Sequence, residues 1–265
     1  MKQELQSYFS RIYDARFFLF HLVKWDVKFK FRGSRLGLLW TTLQPLLLTF
    51  IIATVLGFVF KQDIADYAPY ILSGLLVWDI INNAIVANSY SFLRAEQYIR
   101  QYAHPVVIYP LRMALVTMVT FAIASVSWLI WMLIAYPYCF FIGIISLPLT
   151  LFIYFIMAWA CSIISSHLHI RFRDYPYIMS LIMQLLWYFS PVFLRKETFV
   201  SSPLLFNLFN FNPVTQALNL LRRPFFEGEF ASLLSYAYVL CIAAVLLIIA
   251  AIVNRRCEKT VIFYF

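Results

Sequence analysis

Residues 113–170 contain no Asp, Glu, Lys or Arg, a run of 58 positions bounded by Arg112 and Arg171. A water-soluble domain cannot hide such a run, but a bilayer can. About 20 apolar residues cross a hydrocarbon core once, so the run holds two crossings. The turn between them falls at Tyr136-Pro137-Tyr138. The chain reads as an all-α integral membrane protein.

Six crossings can be placed, near 38–60, 69–91, 112–135, 143–166, 176–194 and 231–253. The second is interrupted only by Asp79. Residues 198–221 are uncharged and long enough to span. They also hold Pro203, Pro213, Asn207, Asn210, Asn212 and Asn219, and unpaired amides and broken helix are costly against lipid. This stretch is expected to be re-entrant or interfacial. Residues 1–16 are polar, and the apolar patch at 17–23 lacks a cleavage site, so no signal peptide is expected. Cys139, Cys161, Cys241 and Cys257 are scattered without a C-x-x-C and suggest neither zinc nor a disulfide framework.

With six spans both termini share a side, and that side carries 16 of the 21 Lys and Arg. The positive-inside bias puts it in the cytoplasm. The net charge of +9 is thereby a topology signal, and no nucleic-acid partner is needed to explain it. The whole chain, 1–265, is expected to be one membrane domain. It comprises a cytoplasmic amphipathic segment (1–36), a six-span bundle (38–253) and a cytoplasmic tail (254–265).

Several segments could carry function. Residues 24–32 alternate charged and apolar, which alone is a strand pattern. An interfacial helix is favoured because headgroups suit its basic and aromatic residues. It could be a simple anchor or a lever against a partner. The inner loop 93–112 can form three helical turns over 93–103 before His104-Pro105 stops them. It is either a docking helix or a solvated connector. His167-Leu168-His169 in the next inner loop is a poor metal pair on a helix, with no third ligand nearby. Asp79 is an intramembrane carboxylate, functional by default, and Asn82 and Asn83 at i+3 and i+4 can share its face. It could line a wet cavity or bond between helices. The 27 Phe, 17 Tyr and 7 Trp include Trp40, Trp187, Tyr188 and Phe189, which interfacial belts explain poorly. Aromatic faces stack on sugar rings, so a glycan conduit is one reading and lipid-facing packing the other. No P-loop, H-E-x-x-H or G-x-S-x-G motif occurs.

Phe31-Arg32-Gly33-Ser34-Arg35-Leu36-Gly37-Leu38-Leu39-Trp40, followed by Gln44-Pro45-Leu46-Leu47, resembles the start of the first span in type-2 ABC exporter permeases. The similarity is to those that export O-antigen, capsular polysaccharide and teichoic acid. Residues 97–112 with Pro105 and Pro110 resemble the family's inner coupling loop. Arg173-Asp174 leading to Phe189-Ser190-Pro191-Val192 resembles its fifth span. Asn212-Pro213 with Arg222-Arg223 resembles its re-entrant segment. Asp79 departs from the pattern, being usually apolar or aromatic there.

The resemblance implies a homodimer with two copies of a cytosolic ATP-binding subunit and a channel for a lipid-linked polysaccharide between protomers. The membrane would be the bacterial inner membrane. The chain would bind no cofactor itself, with ATP and Mg on the partner subunit, and would not be an enzyme. Trp40, Asp79, Trp187, Tyr188 and Phe189 would line the channel, and Arg32 and Arg35 would contact lipid phosphate. Arg94, Glu96, Tyr98, Arg100, His104, Arg171, Arg173 and Asp174 would couple to the ATPase. The competing readings are a drug exporter of the same superfamily, a membrane enzyme acting on polyprenyl-linked sugars, and a proton-coupled flippase that would use Asp79.

Overall fold

The computed structural model describes residues 10, 12–30, 32–101, 104–195, 209 and 211–265, the side chain of Lys259 excepted. Among these residues every regular element is helical. Helix α1 (Arg16–Phe29) precedes a 3-10 turn at Gly37–Leu39 that leads into α2 (Trp40–Phe60). Then come α3 (Ile64–Ile85), a 3-10 turn at Ala87–Tyr90, and the short α4 (Ser91–Arg94) and α5 (Glu96–Gln101). Helices α6 (Ile108–Ala135) and α7 (Pro137–Arg171) form a hairpin, followed by α8 (Tyr175–Tyr188) and α9 (Pro213–Arg222). A π turn at Arg223–Glu227, α10 (Leu233–Cys257) and a 3-10 tail at Glu258–Tyr264 complete the chain.

Five helical stretches are long and apolar enough to cross a membrane: Gly37–Phe60, Ile64–Arg94, Ile108–Ala135, Pro137–Arg171 and Leu233–Cys257. They match the expected first four and sixth crossings. The turn at Tyr136 lies where the charge-free run placed it, because Pro137 can begin a helix without a backbone donor. Helix α7 is longer than expected and absorbs His167 to Arg171, so the expected inner loop 167–174 shrinks to residues 172–174.

The expected fifth crossing is a 14-residue helix, α8. At 1.5 Å per residue it reaches about 21 Å, short of a hydrocarbon core of about 30 Å. Its flanks nevertheless touch opposite ends of the bundle. Tyr175 Oη donates to Ser165 Oγ (2.8 Å) near the end of α7. Beyond α8, the carbonyls of Phe193 and Leu194 accept from the hydroxyls of Tyr67 (2.7 Å) and Tyr70 (3.1 Å) at the start of α3.

Helix α3 is the most buried of the long helices and holds the centre of the core. Trp128 of α6 packs there and donates Nε1–H to the carbonyl of Pro69 at 3.0 Å. The described half of the stretch expected to be re-entrant is α9, with 198–208 outside the described residues. Asn212 caps α9 by accepting from Val214 N at 2.9 Å. Most of its side chains, from Val214 to Arg222, are buried among α3, α7 and α10. Tyr154 Oη donates to the carbonyl of Ala217 (2.7 Å), fixing α9 to α7.

Candidate functional site

The basic end of the bundle gathers segments distant in sequence. Phe92, Ala95, Val106, Tyr109, Ile170 and Val261 form a small buried core there, with Phe18, Tyr98, Ile99 and Phe265 packed on it. Sequence reasoning expected one helix over 93–103. The structure has two short ones, because α4 ends at Ala95, whose backbone leaves the helical region (φ −105°, ψ 4°). Arg100 and Glu96 of α5 pair at i, i+4 (2.9 Å) on an exposed face.

Phe18 of α1 meets both Tyr98 (centroids 5.7 Å) and His104 (5.0 Å, stacked). Arg94 lies 6.0 Å from the Tyr90 ring. Arg171 donates to Cys257 Sγ (3.2 Å) and Arg173 to the carbonyl of Tyr264 (3.2 Å). Glu258 accepts from Val106 N at 3.1 Å. The eight residues expected to couple to an ATPase thus lie at one end of the bundle. Asp174, exposed at the start of α8, completes the set. The part played by the 258–265 tail was not foreseen, since a short tail carries no periodic signal.

Helix α1 is anchored to this end by a bidentate ion pair, in which Nε and Nη2 of Arg112 donate to both carboxylate oxygens of Asp26. Phe17, Phe20 and Trp25 of α1 remain exposed. Leu22 is the buried contact.

Above α1 a cavity of about 300 Å³ opens between α2, α3 and α6. Asp79 and Asn83 of α3, Thr41 and Gln44 of α2, and Thr117 and Thr120 of α6 line it, with Lys30 from the end of α1. Asp79 is exposed to this space. Asn82, expected to share its face, is not among the lining residues. Desolvation lowers the pKa of Lys30, and the charge of Asp79 opposes that shift. Lys30 was not foreseen as a partner for Asp79, being far away in sequence.

The expected channel residues do not form one surface within the chain. Trp40 sits at the basic end, where Nε1 donates to Ser34 Oγ at 3.1 Å. Trp187 packs on Phe193 (5.1 Å) at the opposite end, with Tyr188 and Phe189 exposed beside it. Arg32 and Arg35 are exposed on the segment between α1 and α2, with Arg32 4.5 Å from the Phe29 ring.

Two polar arrangements went unforeseen. Asn88 donates to Thr117 Oγ1 (3.2 Å) and Ser162 Oγ (2.9 Å), Ser91 pairs with Ser166 (2.6 Å), and Ser89 with His169 Nδ1 (3.2 Å). This seam joins α6 and α7 to the 87–91 turn and gives His169 a structural role. The i, i+4 spacing of Ser162 and Ser166 was its faint signal. At the far end Arg222 is 7% exposed. It donates to the carbonyls of Tyr70 (2.9 Å), Pro191 (2.6 Å) and Val192 (2.8 Å), and to Ser73 Oγ (3.0 Å).

Residues 18–226, from α1 through the π turn, match the family model for the ABC-2 type transporter. An O-antigen export system permease protein RfbA from Klebsiella pneumoniae is 24% identical over 216 residues, covering 81% of this chain and 80% of that one. The protein of the same name from Myxococcus xanthus is 22% identical over 226 residues, covering 82% and 83%. A second Klebsiella pneumoniae RfbA is 25% identical over 221 residues, covering 81% and 80%.

Proposed function

The chain belongs to the ABC-2 type transporter family, as a multi-pass permease subunit of an exporter, and from that premise we propose that it moves a lipid-linked polysaccharide across the bacterial inner membrane. The observation that carries this reading is similarity to O-antigen export permeases over about four-fifths of both chains. The energy source is a separate ATP-binding subunit. Two copies of each subunit make the transporter, and the glycan passes between the two permease protomers.

Six crossings with both termini in the cytoplasm fit this reading. The segment from Tyr175 to Leu194 reaches from one end of the bundle to the other even though α8 is short. The buried α9 fits a re-entrant segment tucked into protein. Helices α2 and α8 carry broad exposed apolar faces, including Phe50, Phe58, Leu181 and Leu185. A second protomer and lipid would cover them. Aromatic side chains facing the passage would let a long polar glycan slide by weak stacking, where tight hydrogen bonding would arrest it.

In the cycle, ATP closes the partner subunits against α4, α5 and the 172–174 turn. The small core at that end is shared with α1 and the tail, so the push reaches α1, α6 and α7 together. Arg32 and Arg35 receive the lipid phosphate at the entrance. Mass spectrometry of a tagged copy expressed with its neighbouring genes tests the assembly, and a stoichiometric P-loop ATPase is the expected partner. Stimulation of ATP hydrolysis by lipid-linked glycan and not by hydrophobic drugs tests the cargo. Stimulation by drugs alone would replace the glycan with a small molecule.

A further inference from the structure

We propose that the tail, residues 258–265, is a third docking element for the cytosolic ATP-binding subunit, with the exposed Phe263 seated in an apolar cleft of that subunit. The inference rests on the exporter reading above, but the tail itself lies outside the 18–226 family match. It bridges the two elements expected to meet the partner. Val261 is buried in the small core beneath α4 and α5, and Phe265 packs on the same core with its ring 6.0 Å from the guanidinium carbon of Arg100 on α5. Arg173, in the turn between α7 and α8, donates to the carbonyl of Tyr264 at 3.2 Å. Glu258 accepts from Val106 N at 3.1 Å. The tail is a 3-10 helix, in which neighbours one and two positions from a buried residue turn about 120° away from it. With Val261 held inward, Ile262 and Phe263 face out, and Phe263 is 82% exposed.

Lipid is a poor cover for this face. Helix α7 has 35 residues, about 52 Å at 1.5 Å per residue, against about 40–45 Å for a bilayer with its headgroups. Its charged end, where Arg171, Arg173 and Asp174 are all exposed, is the end that projects into water, and the tail is bonded to it. Single exposed apolar residues are ordinary, but a cluster of them marks an interaction surface. Here Phe172, on the turn that holds Tyr264, is exposed as well as Ile262 and Phe263. Exposed Arg255 and Arg256 add to the positive charge around them. An aromatic anchor with a basic rim suits a protein partner that offers an apolar cleft edged by carboxylates. Helix α10 runs directly into the tail, so a push on Phe263 reaches this last crossing without passing through α4, α5 or the 172–174 turn.

The test uses the full-length permease, tagged at its N-terminus and co-expressed with its neighbouring genes, so that the tail stays free of added sequence. With the photoreactive analogue p-benzoylphenylalanine in place of Phe263, irradiation should join the permease to the P-loop ATPase, identified by mass spectrometry. Phe263→Glu should weaken binding of that ATPase to the permease in detergent by about tenfold or more, the loss expected when one buried aromatic anchor is removed. Its elution volume should not move, because the side chain is exposed. Phe263→Leu should recover most of the binding. Crosslinks to lipid alone would give the tail to the membrane, and crosslinks to a second permease copy would give it to the dimer. Either result, or Phe263→Glu binding the ATPase like the parent, would overturn the inference while leaving the transporter assembly in place. A parent that binds no ATPase would instead overturn the exporter reading and the inference with it.

Discussion

The guanidinium carbon of Arg222 lies 3.6 Å from the ring centroid of Tyr70, and its Nη2 donates to the carbonyl of the same tyrosine. One buried cation thereby joins three segments: the start of α3, the 191–192 turn after α8, and the end of α9. Its charge is met by carbonyl dipoles and an aromatic face, with no carboxylate among its described partners. Arg222→Met leaves three carbonyls without this donor at a cost of about 1–3 kcal/mol for each buried group left unpaired. The expected result is a fall of roughly 10 °C in the unfolding midpoint in detergent, read by thermal shift. Arg222→Lys should recover only part of it, because a point charge cannot serve the fork of acceptors.

Gly74 faces the same clamp. A Cβ added there would collide with the carbonyl of Val192 and lie 2.6 Å from Arg222 Nη2. Gly74→Val should therefore prevent α3 from seating against the 191–192 turn, with loss of folded protein by size-exclusion chromatography. The milder Gly74→Ala, combined with Arg222→Met, should cost less than the sum of the single changes, since both disturb one contact.

The Arg112–Asp26 pair fastens α1 to α6 through two parallel hydrogen bonds with both side chains mostly buried. Asp26→Asn should weaken the attachment by about 1–3 kcal/mol and speed limited proteolysis between α1 and α2. The exchange Asp26→Arg with Arg112→Asp should restore much of the protection. Equal protease sensitivity in parent and Asp26→Asn would assign the attachment to apolar packing alone.

Phe18 of α1 packs against Tyr98 of α5 and against His104. Phe18→Ala should leave the protein folded and bound to its ATP-binding subunit but lower export several-fold, measured as surface glycan in cells. An unchanged export level would remove α1 from the path by which force reaches the bundle.

Arg32→Ala with Arg35→Ala changes two exposed residues with no carboxylate partner among their described contacts. Folding should be unaffected, and surface substitutions of this kind usually cost less than about 0.5 kcal/mol. Export should fall while the assembled complex is retained. Unchanged export would remove Arg32 and Arg35 from the proposed phosphate site.

The long helices could be read directly from the chain. The 58-residue uncharged run is long enough for two crossings, and the turn between them falls at Tyr136-Pro137. Apolar length against bilayer thickness is a local property, so a single sequence contains it. The alternation at 24–32 is a strand pattern taken alone, but an isolated strand would leave its backbone groups unpaired, and a helix, the favoured reading, does run from Arg16 to Phe29. The charge imbalance located the basic end, where the expected coupling residues do collect. Asp79 could be singled out as a charge in an apolar helix, but not given its setting. Lys30 reaches the same cavity from a separate helix 49 positions earlier, and no local pattern encodes that meeting.

Arg222 shows the same division more sharply. In the sequence it is one basic residue beside another, Arg223, and nothing there distinguishes the two. In the fold it is buried against carbonyls from two other segments, while Arg223 pairs with exposed Glu227 at 2.9 Å. Hydrophobic length, helix punctuation and the sidedness of charge are fixed by neighbours along the chain, and the sequence determined them. Which polar groups meet inside the bundle depends on how the helices rotate and slide against one another. Packing decides that, through contacts between residues up to 152 positions apart.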